Sequence, residues 1–280
     1  MDDRRPAAPD ALDIFVEQVC GRYDRERPQS FWALGDEFCA LAHSGWAAAY
    51  LNRELERLCL DPGHFGDWQL NQLIAHRGRG WALAIWLFEQ PRQYLHSTPF
   101  HGMFAPLGAD SLRYDLYQLP PDHRNEVFDP GQRLTPAGAG CTGPGGLLLL
   151  RGEQYVYDFK PPARPLPVLK FTSAAIRPLE WLFKRDTRYA WQANDAALNF
   201  TQLRVAAHVL GRLAQPSSAQ PLSFLSGHAH HAVRWAAIQN LARVNRSAAL
   251  ERLQRAADGD PHPHLRKAAQ RSLQALRQPG

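Results

Sequence analysis

The chain has 280 residues, is 45% hydrophobic and 21% charged, and carries a net charge of +5. That is a globular composition, long enough for two domains with separate cores. No run reaches the ~18 consecutive apolar residues of a membrane span, and Met1–Asp10, charged and rich in Pro and Ala, lacks the apolar centre of a secretory leader. The expectation is a cytoplasmic protein with no membrane association and a disordered arm over residues 1–10.

Residues 11–62 read as a helical lead-in. Leu12, Phe15, Val16 and Val19 recur at helical spacing, as do Leu51, Leu55 and Leu58 before the stop at Asp61-Pro62-Gly63. After Gly63 the character changes. Trp68, Leu70, Gln72 and Ile74 alternate, Trp81–Phe88 is a near-continuous apolar strand, and further strands are expected at 112–119, 147–150, 154–159 and 166–172. Turn-rich pieces such as Asp129-Pro130-Gly131 and Thr142–Gly146 separate them, and no long helix intervenes, so an antiparallel sandwich or barrel is favoured over a parallel sheet. His76-Arg77-Gly78-Arg79-Gly80 reads as a basic hairpin turn, or as an arginine clamp for a carboxylate or phosphate. Cys20, Cys39, Cys59 and Cys141 show no CxxC spacing; reduced, mostly buried thiols are expected.

The helical period returns near residue 194. Helices are expected at 195–213, 217–226, 231–243, 247–257 and 263–277, with Pro and Gly between them. Leu203-Arg204-Val205-Ala206-Ala207, Val233-Arg234-Trp235-Ala236-Ala237 and Leu265-Arg266-Lys267-Ala268-Ala269 share one pattern at steps of 30 and 32 residues. Such a period marks stacked repeats. The phrase, with the Asp260-Pro261-His262-Pro263 entry, resembles a short HEAT-like array over about 195–277. That resemblance implies that the repeated arginines tie neighbouring units together; Arg234 and Arg266 are also the candidates for contact with a partner. Residues 200–280 hold eleven Lys/Arg against three Asp/Glu, whereas the rest of the chain is net negative. An acidic protein or carrier is the expected partner if this face binds, and a solvated arginine-rich surface is the plain alternative. No nucleic-acid reading motif accompanies the charge. His228, His230, His231, His262 and His264 gather at helix starts, as cap and turn residues or as a metal or anion site.

Chemistry is sought in the β-region. Leu83–Trp86 followed by Tyr94-Leu95-His96-Ser97-Thr98-Pro99-Phe100-His101-Gly102-Met103 resembles a cupin barrel of the cysteine-dioxygenase type. The resemblance implies a non-haem Fe(II) or other divalent ion held by imidazoles, with His96 at the first ligand position. The second position is Thr98, and the second motif, Gly145–Asp158, has no histidine. A two-His, one-carboxylate set of His96, His101 and Asp158 would restore a recognised iron site. Asp158 faces inward only if Tyr155 and Tyr157 face outward; those two tyrosines are otherwise the candidates to orient substrate or donate a proton. Tyr114, Tyr117, Trp81 and Trp86 are further aromatic candidates for a pocket.

The expected class is therefore α+β: a helical N-terminal segment, a cupin-like antiparallel β-barrel over 63–193, and a HEAT-like α-solenoid over 194–280. The expected function is small-molecule binding by a cupin-type protein, in its catalytic form an iron oxygenase. The alternative is a non-catalytic interaction or regulatory module with a metal-free barrel and a basic partner-binding surface.

Overall fold

The computed structural model describes residues 10–61, 63–64, 66–69 and 71–277. The arm expected before Asp10, and Pro62 and Leu70, lie outside them. The chain divides into two compact units: one runs to His123 and adds Gly131–Ile176 and Leu182–Trp191, and the other comprises Arg124–Pro130, Arg177–Trp181 and the chain from Gln192 onward.

The first unit opens with α1 (Ala11–Arg22), α2 (Pro28–Trp32), α3 (Gly35–His43) and α4 (Trp46–Leu60). Each start has a local cause. Asp10 and Asp13 close a capping box on α1, Pro28 begins α2 where no N–H is required, and Gly45 at φ 71° turns the chain into α4. The strands follow as β1 (Trp68–Gln69), β2 (Gln72–Gly78), β3 (Trp81–Phe88), β4 (Leu95–His96), β5 (His101–Pro106), β6 (Leu112–Gln118), β7 (Thr135–Thr142), β8 (Leu148–Arg151), β9 (Tyr155–Phe159), β10 (Leu166–Ser173), β11 (Leu179–Phe183) and β12 (Ala190–Asp195). A six-stranded antiparallel sheet has the order β1-β2-β3-β10-β5-β8, and β7-β6-β9 form a second sheet. Leu182 and Phe183 pair with His96 and Leu95, and a single bridge joins Ser97 to Val156. The strands thus form separate antiparallel sheets and do not close into the expected barrel.

Strand alternation gives the large sheet two unlike faces. Trp81, Leu83, Ile85, Met103, Ala105, Leu169 and Phe171 pack against Phe15, Val19, Phe31, Leu34, Phe38 and Leu41 of the helices. Phe171 is fully buried and stacks on Phe31 with centroids 4.6 Å apart. The opposite face carries Trp86, Phe88, Phe104, Leu148, Leu150, Leu166 and Val168, which meet Leu112, Tyr114, Tyr157 and Phe159. The helix-facing side is dry, whereas Trp86, Tyr114, Tyr157 and Phe159 all keep some solvent contact.

The second unit contains α5 (Leu198–Leu213), α6 (Ala219–Leu225), α7 (His231–Val244), α8 (Arg246–Gly259) and α9 (Pro263–Arg277). The repeated phrase explains their packing: Ala207, Ala237 and Ala269, the last alanine of each copy, are all completely buried. A side chain no larger than a methyl lets α5 and α7 approach so closely that a Cβ on Gly211 would sit 2.4 Å from Asn240 Oδ1. The same unit takes in two excursions of earlier chain. Asn125 donates to the Leu179 carbonyl at 2.8 Å and accepts from its N–H at 3.0 Å, while Trp181 Nε1 donates to the Asn125 carbonyl at 2.9 Å.

One expectation needs correction besides the closed barrel. Cys20, Cys59 and Cys141 are exposed and Cys39 is half-buried, because each sits on the outer side of its helix or strand; the thiols are free but not mostly buried. Among the described residues, no helix is long and apolar enough to cross a membrane.

Candidate functional site

The inner face of the six-stranded sheet holds one residue that apolar packing does not explain. On β10, Val168, Lys170 and Thr172 point inward while Leu169 and Phe171 point to the helices. Lys170 lies directly between Ala84 of β3 and Phe104 of β5. Its Nζ donates to Gln72 Oε1 at 3.1 Å and lies 5.1 Å from the centre of the Trp86 ring and 5.5 Å from that of Phe104. Lys170 makes no ion pair among the described residues. Protein surrounds almost all of the ammonium, although the side chain keeps a margin of solvent contact. Burial pushes its pKa down to about 8, and the positive charge of Arg92 adds to the effect.

The residues proposed for a metal set have other occupations. Asp158 lies on the face of β9 opposite Tyr157 and Phe159, where its Oδ1 accepts from Arg185 Nη1 at 2.6 Å and its Oδ2 lies 3.6 Å from Lys160 Nζ. Arg185 also donates twice to the Arg92 carbonyl, and Arg92 Nη1 sits 3.0 Å from His96 Nδ1. His96 and Asp158 are therefore joined through two guanidinium groups, which supply the positive charge that a cation would bring. His101 is on the helix-facing side of β5, with its ring 4.9 Å from Trp32 and 6.0 Å from Phe31. The structure does not bring His96, His101 and Asp158 to one point. Among the described residues, no group of three or more His, Cys, Asp or Glu side chains is placed to hold a metal ion. These residues do not fit the iron centre that the cupin resemblance implies.

Tyr157 faces inward but its hydroxyl is engaged, donating to the Leu149 carbonyl and accepting from the Arg151 N–H, each at 3.2 Å. Burial pushes its pKa up. Tyr155 is half-buried opposite Gln118. Trp81 belongs to the helix-facing core, so of the aromatic candidates only Trp86, Tyr114 and Tyr157 line the inner face. Arg77 is paired with Asp67 at 2.6 Å rather than poised as a clamp.

In the second unit, the histidines form a column. Successive ring centroids from Phe200 through His230, His231 and His262 to His264 are separated by 4.3, 5.0, 3.8 and 5.4 Å. His262 Nε2 donates to the Glu126 carbonyl at 2.7 Å. Burial, with the neighbouring imidazoles and Arg234, holds His231 down to about 3; burial also lowers His230 and His262. The Phe200, His230, His231 and His262 rings stack at interplanar angles of 19°, 22° and 9°, and His264 meets His262 edge-on at 74°, which suits packing rather than convergence on an ion. Arg234 is buried, donating through Nε and Nη2 to the two oxygens of Asp260 at 2.9 and 2.7 Å and through Nη1 to the carbonyls of His228 and Ala229. Arg266 donates to the Asp260 carbonyl, and Arg204 pairs with Asp195 at 2.8 Å. All three repeat arginines are internal ties.

Sequence reasoning passed over Lys170. The signal was present: the chain has only four lysines, Lys160, Lys170, Lys184 and Lys267, against 28 arginines. A lysine inside an apolar strand of so arginine-rich a chain stands out.

Comparison with known proteins bears on both units. No curated protein matches the chain. Similar solved structures include the hydroquinone 1,2-dioxygenase PnpCD in complex with Cd2+ and 4-hydroxybenzonitrile, at 16% identity over 36% of this chain and 63% of that one, with a TM-score of 0.28. The vicilins of Solanum melongena and Corylus avellana follow at 13% and 12% identity, covering 45% and 37% of this chain and 34% and 25% of theirs, with TM-scores of 0.25 and 0.22. The chain spans less than two thirds of the length of each. The family described as HEAT repeats matches residues 221–280, which cover α6 to α9 of the helical unit.

Proposed function

We propose that this chain is a ligand-binding module whose β-unit takes a small organic ligand against the inner face of the large sheet, and that its helical repeats serve interaction or regulation. The observation that carries this reading is Lys170. An amine held by one amide oxygen and two ring faces has no counter-charge, so an anionic or carbonyl-bearing ligand would complete its surroundings. The positive charge of Arg92, which acts on Lys170, adds to the attraction for a negative group. The iron-oxygenase form of the cupin reading asks for three converging donors, and the donor geometry described above does not favour it.

The test is a thermal-shift screen of small carboxylates and carbonyl compounds against the wild type and Lys170→Met, which keeps the apolar stem. Stabilisation by an aromatic acid that vanishes in the variant supports the reading. Equal shifts in both proteins would remove Lys170 from it.

A second reading rests on the basic helices. With Arg234 and Arg266 turned to internal bonds, the exposed charge comes from Arg243, Arg246, Arg255, Lys267 and Arg271. An acidic protein fits that surface, and reversing Arg243, Arg246 and Lys267 together should abolish its capture while leaving ligand binding in the β-unit unchanged.

A further inference from the structure

We propose that Lys170 is a reactive amine that forms a reversible imine with the carbonyl carbon of an apolar 2-oxo acid, whose negative charge the positive field of Arg92 favours. This deepens the ligand-binding reading above and rests on it.

Four features of the site converge on this chemistry. Lys170 stands on the central strand β10 with Ala84 on one side, so the aliphatic stem is fixed and its amine is presented to the aromatic wall of Trp86, Phe104, Tyr157 and Phe159. Those rings are half-open to solvent apart from Phe104, and they offer an apolar surface to the body of the ligand. Gln72 Oε1 accepts one N–H, which leaves the nitrogen able to present its lone pair once a proton is lost. Arg92 is exposed, its Nη1 lies 3.0 Å from His96 Nδ1, and its positive charge adds to the lowering of the Lys170 pKa. Burial makes proton loss accessible: with a pKa of about 8, roughly a tenth of the amine is neutral at pH 7. For an ordinary lysine the neutral share is about one part in three thousand. Desolvated lysines serve as Schiff-base formers for this reason.

The step balances without an oxidant or reductant. The neutral nitrogen adds its lone pair to the carbonyl carbon, and a proton passes from nitrogen to oxygen to give a carbinolamine. The C–O bond then breaks, water leaves with the second nitrogen proton, and a C=N bond remains. An arginine cannot substitute, because its guanidinium does not deprotonate in this range. That accounts for a lysine standing here in a chain with seven times as many arginines.

The experiment treats the full chain with phenylpyruvate, traps any imine with sodium borohydride and maps the adduct by peptide mass spectrometry. In parallel, thermal shift is measured with phenylpyruvate alone. The expected result is one reduced adduct, confined to Lys170, whose yield rises with pH through about 8 and which is absent in Lys170→Met. Arg92→Met should lower trapping of phenylpyruvate several-fold more than trapping of benzaldehyde, because both lose the help that the Arg92 charge gives to proton loss from Lys170 and only phenylpyruvate carries the opposite charge. A Lys170-dependent thermal shift without an adduct would overturn the imine and leave the ligand-binding reading standing. Neither shift nor adduct would overturn both. An adduct spread equally over Lys160, Lys170, Lys184 and Lys267 in the wild type would also overturn the proposal, and this needs no variant.

Discussion

Asp260→Ala should be among the most damaging single substitutions in the helical unit. The Arg234 and Asp260 side chains are only 10% and 7% exposed, and they meet through two N–H···O bonds. Asp260 Oδ1 also accepts the His262 N–H at 2.8 Å. Removing the carboxylate leaves a buried guanidinium with two carbonyls and no counter-charge, and orphans the backbone N–H at the start of α9. Breaking a buried pair from one side costs about 3–5 kcal/mol. Arg255→Ala is the internal control: the Arg255 and Glu251 side chains are 64% and 61% exposed, so their pair should be worth about 1 kcal/mol or less. Urea unfolding followed by far-UV circular dichroism gives both values as midpoint shifts, with the helical unit's transition fitted separately if the two units melt apart. A double replacement, Arg234→Met with Asp260→Leu, should regain much of the loss, since the penalty comes from the stranded charge. The reasoning is refuted if Asp260→Ala costs no more than Arg255→Ala.

The histidine column makes the helical unit acid-labile. His230, His231 and His262 bind protons less readily folded than unfolded, so their contribution is full above the unfolded value near 6.5 and is lost as pH falls from there toward about 3, the value for His231. Each fully buried histidine would add a slope of about 1.4 kcal/mol per pH unit, reduced for His231 because it keeps solvent contact; urea midpoints measured between pH 7 and pH 4 should fall, and His231→Gln should flatten the fall. Phe171→Ala removes the ring stacked between the helices and the large sheet and should cost the β-unit about 3–5 kcal/mol in the same assay. Gly211→Ala drives a methyl into Asn240 and should cost about 1–3 kcal/mol; a neutral result would show that α5 can withdraw from α7.

The helices of the repeat region were legible because several signals coincide there. A 3.6-residue period, prolines at helix starts and the alanine phrase placed α5 to α9 within a few residues of their observed bounds. Strands β3, β6, β9 and β10 were equally visible through their apolar or alternating runs. The rest was hidden for identifiable reasons. In β7, Thr-Pro-Ala-Gly-Ala-Gly-Cys-Thr, there is no apolar alternation to read, since that strand is largely exposed. Strand β5 is buried along its whole length, so its sequence, His-Gly-Met-Phe-Ala-Pro, carries no alternation of polarity to read. The metal reading treated His96, His101 and Asp158 as converging because they are near in motif spacing; alternation on β9 and the helix-facing side of β5 separate them. What the sequence did not express was which face each strand turns to the helices. Lys170 becomes conspicuous only once Leu169 and Phe171 are known to point the other way.

The two excursions, Arg124–Pro130 and Arg177–Trp181, mean that the chain passes between its units five times. No single cut therefore releases a complete helical unit. A fragment beginning at Gln192 would keep every residue of the repeat phrase yet lack Trp181, Asn125 and the Glu126 carbonyl that receives His262. On the ribosome, these pieces emerge before any of the helices they belong with, and the Glu126 carbonyl meets its His262 partner only once the start of α9 has been made. The order of synthesis thus ties completion of the helical unit to the making of α9, whose entry residue His262 is the partner of the Glu126 carbonyl.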